Sequence, residues 1–430
     1  MNAIPKLKNG FKRIKIRYDK FEDIPKNWDV KQIHEITDTE SGATPNTDTP
    51  EYWENGTIPW INSGKVQNCK VVSPSTHITE KGFEKSATYK FPKNTVLIAL
   101  TGATTANIGF LEFESTANQS IVGILPTDKF EPRFVYYSLI NIRRKILQVA
   151  VETAQLHINK EIIDELTIYL PPLPEQEKIV SVLSNIDDYI ENVSKTIEQF
   201  KFLKTALLKK ILLNGIHNKK LKTVNLGKKF LNAKIPIDWE TIEFQKALTV
   251  EDNPISLEDS KIYSRITVKR RHEGVVLRDK VTGEEILVKS QYKINSGDFV
   301  ISKRQIIHNA CGLIPKEFDG AVVSNEYTNL SGTGLVDINY FDLFAQTRLF
   351  KQTIAITTHG VDIEKYLFLD SEWLKLKMPV PPLPEQKKII KIFSEINSII
   401  ETNSQYQKKL EKLKKGLMQQ LLSGEVRVKI

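Results

Sequence analysis

Pro171-Pro172-Leu173-Pro174-Glu175-Gln176 recurs 210 residues further on as Pro381-Pro382-Leu383-Pro384-Glu385-Gln386, and the reading of this doubled junction decides how the chain is built. Laid over each other at that offset, residues 171–214 and 381–424 agree at about 17 of 44 positions, among them Lys178/Lys388, Ile179/Ile389, Leu203/Leu413 and Leu207/Leu417. Self-similarity of this length marks an internal duplication. A second echo lies upstream of each junction, where Ile24-Pro25 with Trp28 corresponds to Ile235-Pro236 with Trp239. Each half therefore opens on Ile-Pro and Trp and closes on a proline-rich junction with a long tail.

The tail predicts a helix. Proline is tolerated at a helix start, where its missing N–H costs nothing, and beyond Pro174 the apolar residues fall at Ile179, Val182, Ile186, Tyr189, Val193, Phe200, Leu203 and Leu207. The copy repeats the pattern at Ile389, Ile392, Ile396, Ile399, Tyr406, Leu410, Leu413 and Leu417, with Thr196 and Asn403 as polar intrusions. Spacings of three and four make a coiled-coil seam, and Gly215 and Gly424 supply the stops. Each helix should span about 60 Å at 1.5 Å per residue. An apolar stripe of that length needs a partner, and the other copy is the nearest one. The chain order favours an antiparallel pair, with the basic N-terminal segment beside the C-terminal end. Two amphipathic helices, each docked on its own domain, are the alternative.

The segments between these landmarks read as sheet followed by helix. Short β-branched runs such as 95–100 and 120–124 in the first half, and 285–288, 297–302 and 320–324 in the second, alternate with turns rich in Gly, Asn, Thr and Pro. Helices are expected from Pro132 to Val149 and from Tyr340 to Thr353. The fold class is accordingly mixed α/β: two globular domains joined by a pair of long antiparallel coiled-coil helices, a pseudo-twofold tandem repeat. The boundaries are a basic extension at 1–20, a first domain at 21–170, a helix at 171–215, a second domain at 216–380, a second helix at 381–424 and a tail at 425–430. Outside their shared edges the two halves hardly match, as expected of one scaffold carrying two different surfaces.

With 430 residues, 40% hydrophobic and 26% charged, the chain has the composition of a folded multidomain protein. No apolar run reaches the roughly 20 residues of a membrane span, and residues 1–20 lack the apolar core of a secretory signal, so a cytoplasmic location is expected. Cys69 and Cys311 stand alone, which argues against a disulfide framework or a zinc site; both are expected to be buried small hydrophobes. The net charge of +9 points to an anionic partner such as nucleic acid. The surplus is uneven: residues 1–20 hold seven Lys or Arg against Asp19 alone, whereas basic and acidic residues balance over 225–380. Specific contacts must come from local clusters, because bulk charge supports only nonspecific attraction.

Intrinsic catalysis lacks its usual marks. There is no phosphate-cradling loop with Lys-Ser/Thr, and Ser331-Gly332-Thr333-Gly334 lacks the third glycine of a dinucleotide site. Pro171-Pro172 and Pro381-Pro382 follow Leu170 and Val380 and lead into helices, unlike the Asp/Asn-Pro-Pro-aromatic loop of amino-methylating enzymes. Asp259-Ser260-Lys261 fits an acidic-x-Lys pair, but no upstream acid completes a nuclease site. No cofactor and no metal are expected.

A tandem pair of dissimilar domains, each closed by a Leu-Pro-x-Pro-Glu-Gln-type junction and a long helix, resembles the specificity subunits of type I restriction-modification systems over nearly the whole chain. Ser41-Gly42-Ala43-Thr44-Pro45, Glu51-Tyr52-Trp53, Ile58-Pro59-Trp60, Asn118-Gln119 and the stretch Gly297 to Ser302 strengthen the match. The resemblance implies a non-catalytic subunit with two target-recognition domains. Each would read half of a bipartite site in double-stranded DNA, docked to two methylation subunits and, in the full complex, to restriction subunits. An architectural coiled-coil protein with protein-binding end domains is the rival reading.

Reading bases requires side-chain donors on loops, while phosphate contacts set the register. In the first domain the candidates are Thr44, Asn46, Tyr52, Trp60, Asn62, Ser63 and Lys65, although tryptophans in such stretches also serve as core. In the second they are Lys269, Arg270, Arg271 and His272, with Lys303, Arg304 and Gln305 beside them; a solvated charged face explains the same residues. Arg143-Arg144-Lys145 lie on a helix and suit either a phosphate grip or a solvent-facing side.

Overall fold

The computed structural model describes residues 7, 9–17, 20–152, 158–216, 220–228, 230–359 and 367–429. Positions 1–6, 8, 18 and 19 of the basic extension lie outside the described residues, as does Ile430 of the tail. The chain divides into two compact units, one holding 1–193 with 405–430 and the other 194–404.

In the first unit, Phe11–Arg17 and Lys20–Pro25 form an antiparallel hairpin tied by Arg13, whose guanidinium forks onto Asp23 at 2.7 and 2.8 Å. The chain then turns at Trp28, whose N–H donates to the Pro25 carbonyl at 3.1 Å, and pairs Asp29–Gln32 with Thr167–Leu170. The central sheet runs in the order Thr39–Ser41, Ile121–Ile124, Val96–Ala99, Ile108–Leu111, Cys69–Val71. All four residues of each of the three middle strands are buried, so these strands read as continuous apolar runs. A smaller sheet of Thr116–Ala117, Ile58–Ile61 and Thr76–Ile78 stands beside it. One face of the central sheet packs on the helix Pro132–Glu152 and on both long helices: Ile98, Phe110, Val122, Phe134 and Tyr137 share a core with Ile179, Val180 and Leu183 and with Met418, Leu421 and Leu422.

The second unit repeats the frame. Leu221–Asn225 and Asn232–Pro236 form the hairpin, Trp239 N–H donates to the Pro236 carbonyl at 3.1 Å, and Glu240–Glu243 pairs with Lys377–Val380. The registers correspond: Asp29 stands opposite Leu170 as Glu240 stands opposite Val380. A four-stranded sheet, Leu248–Val250, Tyr327–Gly332, Phe299–Ser302 and Cys311–Leu313, keeps the strand order of its counterpart. The second sheet differs. It has five strands and contains the long hairpin Ile262–Val268 with Val275–Thr282, which has no match in the first unit. Ile211 and Leu212 of the first long helix share the core of this unit with Ile389 and Phe393 of the second.

The long helices run over Leu173–Asn214 and Leu383–Leu422. Within the first unit their contacts descend along one helix as they ascend along the other: Glu175 meets Arg427, and Asp187 meets Lys414 at 2.5 Å. Within the second unit the same sense holds, with Ile216 N–H donating to Glu385 at 3.2 Å. The apolar stripe is shifted from the expected one. Tyr189, Leu203, Tyr406 and Leu413 are exposed, while Leu183, Ile186, Ile190, Val193, Ile197, Phe200, Lys204, Leu207 and Ile211 are buried or half-buried in strict steps of three and four. At Lys204 helical phase outweighs side-chain hydrophobicity, since the heptad face continues through it rather than swinging aside to the more apolar Leu203.

Three further expectations need correction. Cys69 is exposed at a strand edge, and only Cys311 is buried. Glu285 to Val288 form no strand, since Ile286 alone turns inward while Leu287 and Val288 face solvent. The helix expected over 340–353 is broken into Ile338–Phe344 and Arg348–Ile356, the second capped by the Thr347 side chain accepting from Phe350 N–H at 3.2 Å. No described helix is long and apolar enough to cross a membrane.

Candidate nucleic-acid interface

In the first unit the candidate residues sit on loops and turns around the smaller sheet, except Trp60, which lies within its strand Ile58–Ile61. Gly42 brings the strand end against the 117–118 backbone so closely that a Cβ there would stand 2.3 Å from the Asn118 oxygen. This approach places the Thr44 hydroxyl on the Gln119 side-chain oxygen. Asn46 is exposed and closes its own turn, its side chain accepting from Asp48 N–H at 3.0 Å while its carbonyl accepts from the Trp53 indole at 3.0 Å. Tyr52 is half-buried in a short 3-10 turn, Pro50–Tyr52. Trp60 is 8% exposed and packs edge-on against Trp53 at 5.2 Å, with its indole N–H on the Ala43 carbonyl. Its placement is that of a core residue supporting the loop rather than of a surface donor.

Asn62 caps the turn Ser63–Lys65 by accepting from Gly64 N–H at 3.1 Å. Lys65 reaches the Ser73 hydroxyl at 3.2 Å. Asn62 and Lys65 line an open concavity of about 690 Å³ with Gln67, Lys70, Ser73 and Ser75. A polar, basic-rimmed groove of this kind suits a base edge or a phosphate.

In the second unit the two candidate stretches come together. Arg270 donates through Nε to the Gln305 side-chain oxygen at 2.9 Å. Lys269 and Arg271 are exposed at the tip of the long hairpin, and Arg271 and His272 both take positive φ, +59° each. His272 turns inward: its Nε2 lies 3.0 Å from Asp342 Oδ1, its Nδ1 is 3.5 Å from the Cys311 thiol, and its backbone N–H donates to the Asn309 carbonyl. With a side chain only 11% exposed, His272 is held at the base of the loop by these contacts. Burial pushes the Cys311 thiol well up, so no reactive thiolate forms there.

Lys303 pairs with Asp370 at 3.2 Å. Arg304 holds both carboxylate oxygens of Glu326, and these hydrogen bonds, with the arginine's charge, keep that carboxyl below its ordinary range. Arg143 is committed elsewhere, donating to the Ala106 carbonyl at 2.9 Å and the Asn107 side chain at 2.7 Å. Lys145 pairs with Glu22, while Arg144 is exposed. Lys261 bonds to Glu258 at 3.2 Å rather than to Asp259, which leaves the acidic-x-Lys pair unassembled. Among the described residues, no three His, Cys, Asp or Glu side chains gather as metal ligands do.

Comparison with known proteins gives these surfaces a context. Residues 25–201 match the family described as Type I restriction modification DNA specificity domain. The chain is 26% identical over 424 residues to the type I restriction enzyme MjaIX specificity subunit of Methanocaldococcus jannaschii, covering 94% of this chain and 95% of that one. It is 24% identical to the MjaVIII specificity subunit of the same organism, covering 94% of each. Among solved structures, the type I restriction-modification S subunit of M. genitalium superposes with a TM-score of 0.56 at 16% identity, over 95% of this chain and 98% of that one.

Proposed function

We propose that this chain, which carries a type I restriction-modification DNA specificity domain at 25–201 and resembles type I specificity subunits along its length, is the DNA-reading subunit of such a system. In this reading the domains at 21–170 and 216–380 each read one half of a bipartite site. The helices at 171–215 and 381–424 form an antiparallel coiled coil that sets the distance between them and docks the methylation subunits. Methyl transfer, ATP-driven translocation and cutting belong to two methylation subunits and the restriction subunits, in the cytoplasm with the DNA, and the chain itself supplies no catalysis.

The observation that carries this reading is the pairing of one repeated frame with two unlike surfaces. The first frame has Trp28 on Glu175 at 3.2 Å and Gln176 on the Pro171 carbonyl; the second has Trp239 on Glu385 at 3.1 Å and Gln386 on the Pro381 carbonyl. Around these frames the surface chemistry diverges, with an Asn-Ser-Gly-Lys turn in one unit and an arginine-rich hairpin in the other. A protein selected to hold one duplex at two different sequences needs this combination. Thr44, Asn46, Tyr52, Asn62, Ser63 and Lys65 are proposed for the first half-site, and Lys269, Arg270, Arg271, Lys303, Arg304 and Gln305 for the second. Trp60 and His272 act as supports.

Co-expression with a type I methylation subunit, followed by mapping of methylated adenines, tests the reading: one split motif is expected, and a continuous motif or none would overturn it. Inserting one heptad, about 10 Å, into the first long helix and its copy should widen the unread gap by roughly three base pairs. An unchanged gap removes the ruler.

A further inference from the structure

The long hairpin of the second unit contains a bulge. Arg265 stands opposite Asp279 and Ile266 opposite Leu277, so Arg278 is the extra residue and breaks the alternation of the strand. Bulges of this kind re-aim a side chain and are over-represented beside functional sites. The neighbours fix the backbone on either side of the bulge. Arg265 forks onto Asp279 through two hydrogen bonds of 2.7 Å, which ties the strands together across the bulge and occupies both carboxylate oxygens. Arg278 is left with a single long contact to Asp279, Nε to Oδ2 at 3.6 Å, and its side chain is 60% exposed. Glu285, the other acid nearby, is engaged by the Thr282 backbone N–H and hydroxyl at 2.7 and 2.8 Å.

Arg278 borders a concavity of about 330 Å³ together with Leu287, Val288 and Tyr327. The loop carrying Leu287 is pinned from both sides, by Gln291 Nε2 donating to the Val288 carbonyl at 2.8 Å and by Lys289 Nζ donating to the Gly283 carbonyl at 2.9 Å. Leu287 is nonetheless 92% exposed, an apolar side chain held out into solvent. Tyr327 and Val323 also line a second concavity, which holds Lys303 and Asn325.

We infer that Arg278 is a specificity-determining residue of the second unit, its guanidinium reading the major-groove edge of a guanine, with Leu287 as the apolar neighbour against the adjoining base. The inference rests on the DNA-reading function proposed above. A planar fork matches guanine O6 and N7 and must be aimed to discriminate; the bulge and the Arg265–Asp279 clamp fix the backbone from which it is aimed. A phosphate contact needs charge but no such aim.

The test uses the complex of this chain with a type I methylation subunit and a plasmid library randomised over the target. The wild-type arm comes first, because failure to give a split motif sinks the parent reading before any variant is read. Arg278→Ala and Arg278→Lys should each lower the preference at one base pair of one half-site by about 10- to 100-fold, with every other position unchanged. Should Arg278→Ala destabilise the unit, the lysine variant decides, since it keeps the charge and loses the fork. An unchanged motif in both variants overturns the inference. So does a uniform loss in the alanine variant that lysine restores, which is the signature of a phosphate contact.

Discussion

The indole nitrogen of Trp28 donates to Oε2 of Glu175 at 3.2 Å, joining the turn that opens the first half of the chain to the junction that closes it, 147 residues away. Glu175 is fully buried and also takes both arms of Arg427, at 2.6 and 2.8 Å. One carboxylate thus gathers the domain entry, the start of the first long helix and the residues just beyond the second. Its copy, Glu385, receives Trp239 in the same manner and takes a backbone N–H from Ile216 beyond the first helix.

Removing that charge should cost far more than a surface ion pair would. E175Q keeps an acceptor for Trp28 but leaves the Arg427 fork unmatched, and about 1–3 kcal/mol of stability is expected to go. E175L strands the indole N–H as well and should cost about 3–5 kcal/mol. Urea midpoints of both variants, with R427A completing a double-mutant cycle, measure the coupling; additivity of E175Q and R427A would show that the pair contributes nothing.

Two glycines should respond to alanine in opposite directions. At Gly42 a Cβ would stand 2.3 and 2.4 Å from the carbonyl oxygens of Asn118 and Ala117, which are backbone atoms that cannot step aside. G42A should lower stability by about 1–3 kcal/mol and disturb Thr44 and Gln119. Gly416 lies inside the second long helix with nothing within 4 Å of the added atom. G416A should raise stability by about 0.5–1 kcal/mol. Thermal unfolding of the two variants beside the parent checks both signs.

The repeated junction, the long helices and the paired Trp turns were legible in the sequence because duplication preserved them and because each rests on local chemistry: proline at a helix start, glycine at its end, apolar residues in phase. Side-chain direction in loops was not. Lys269 to His272 read as one basic run, yet the chain reverses at Arg271, so that His272 turns inward and is mostly buried while its neighbours stay outside. Trp60 is likewise turned inward. Arg278 escaped notice because a bulge is a fault in strand alternation, visible only when the register of the opposing strand is known.

Lys204 occupies a heptad position of the first long helix where an apolar residue would pack, and burial lowers its pKa from the ordinary 10.5, against a partial counter-pull from Asp342. A lysine depressed in the folded state binds fewer protons there than in the unfolded chain over the interval between the two pKa values. Stability therefore rises with pH in that interval, and the penalty is full below the folded-state pKa. K204L should stabilise the protein by about 1 kcal/mol at pH 7. Its advantage should shrink as pH climbs toward 10.5, because the wild-type lysine sheds its proton. Urea titrations of the two proteins at pH 7 and pH 10 give the comparison, and an advantage that grows with pH would contradict the assignment.

Arg271 joins strain to function in one residue. Its φ of +59° and ψ of 23° lie in the left-handed region, where a non-glycine side chain costs about 1 kcal/mol or more. The conformation is imposed by His272, whose ring is held by Asp342 and Cys311 and whose N–H is held by Asn309. Among the described residues, no hydrogen bond or ion pair engages the Arg271 side chain, so the strained residue's own side chain does not repay the cost within the fold. It is repaid if the exposed guanidinium meets the DNA backbone. R271G should therefore raise the unfolding midpoint and at the same time weaken retention of a target duplex, with the slope of log affinity against log salt reduced by about one. Both quantities are read from the same preparation, by thermal unfolding and by salt-dependent binding to the mapped target. A variant that gains stability and binds as tightly as before would leave the strained turn without a role in reading DNA, and one that loses stability would show that glycine does not relieve the turn.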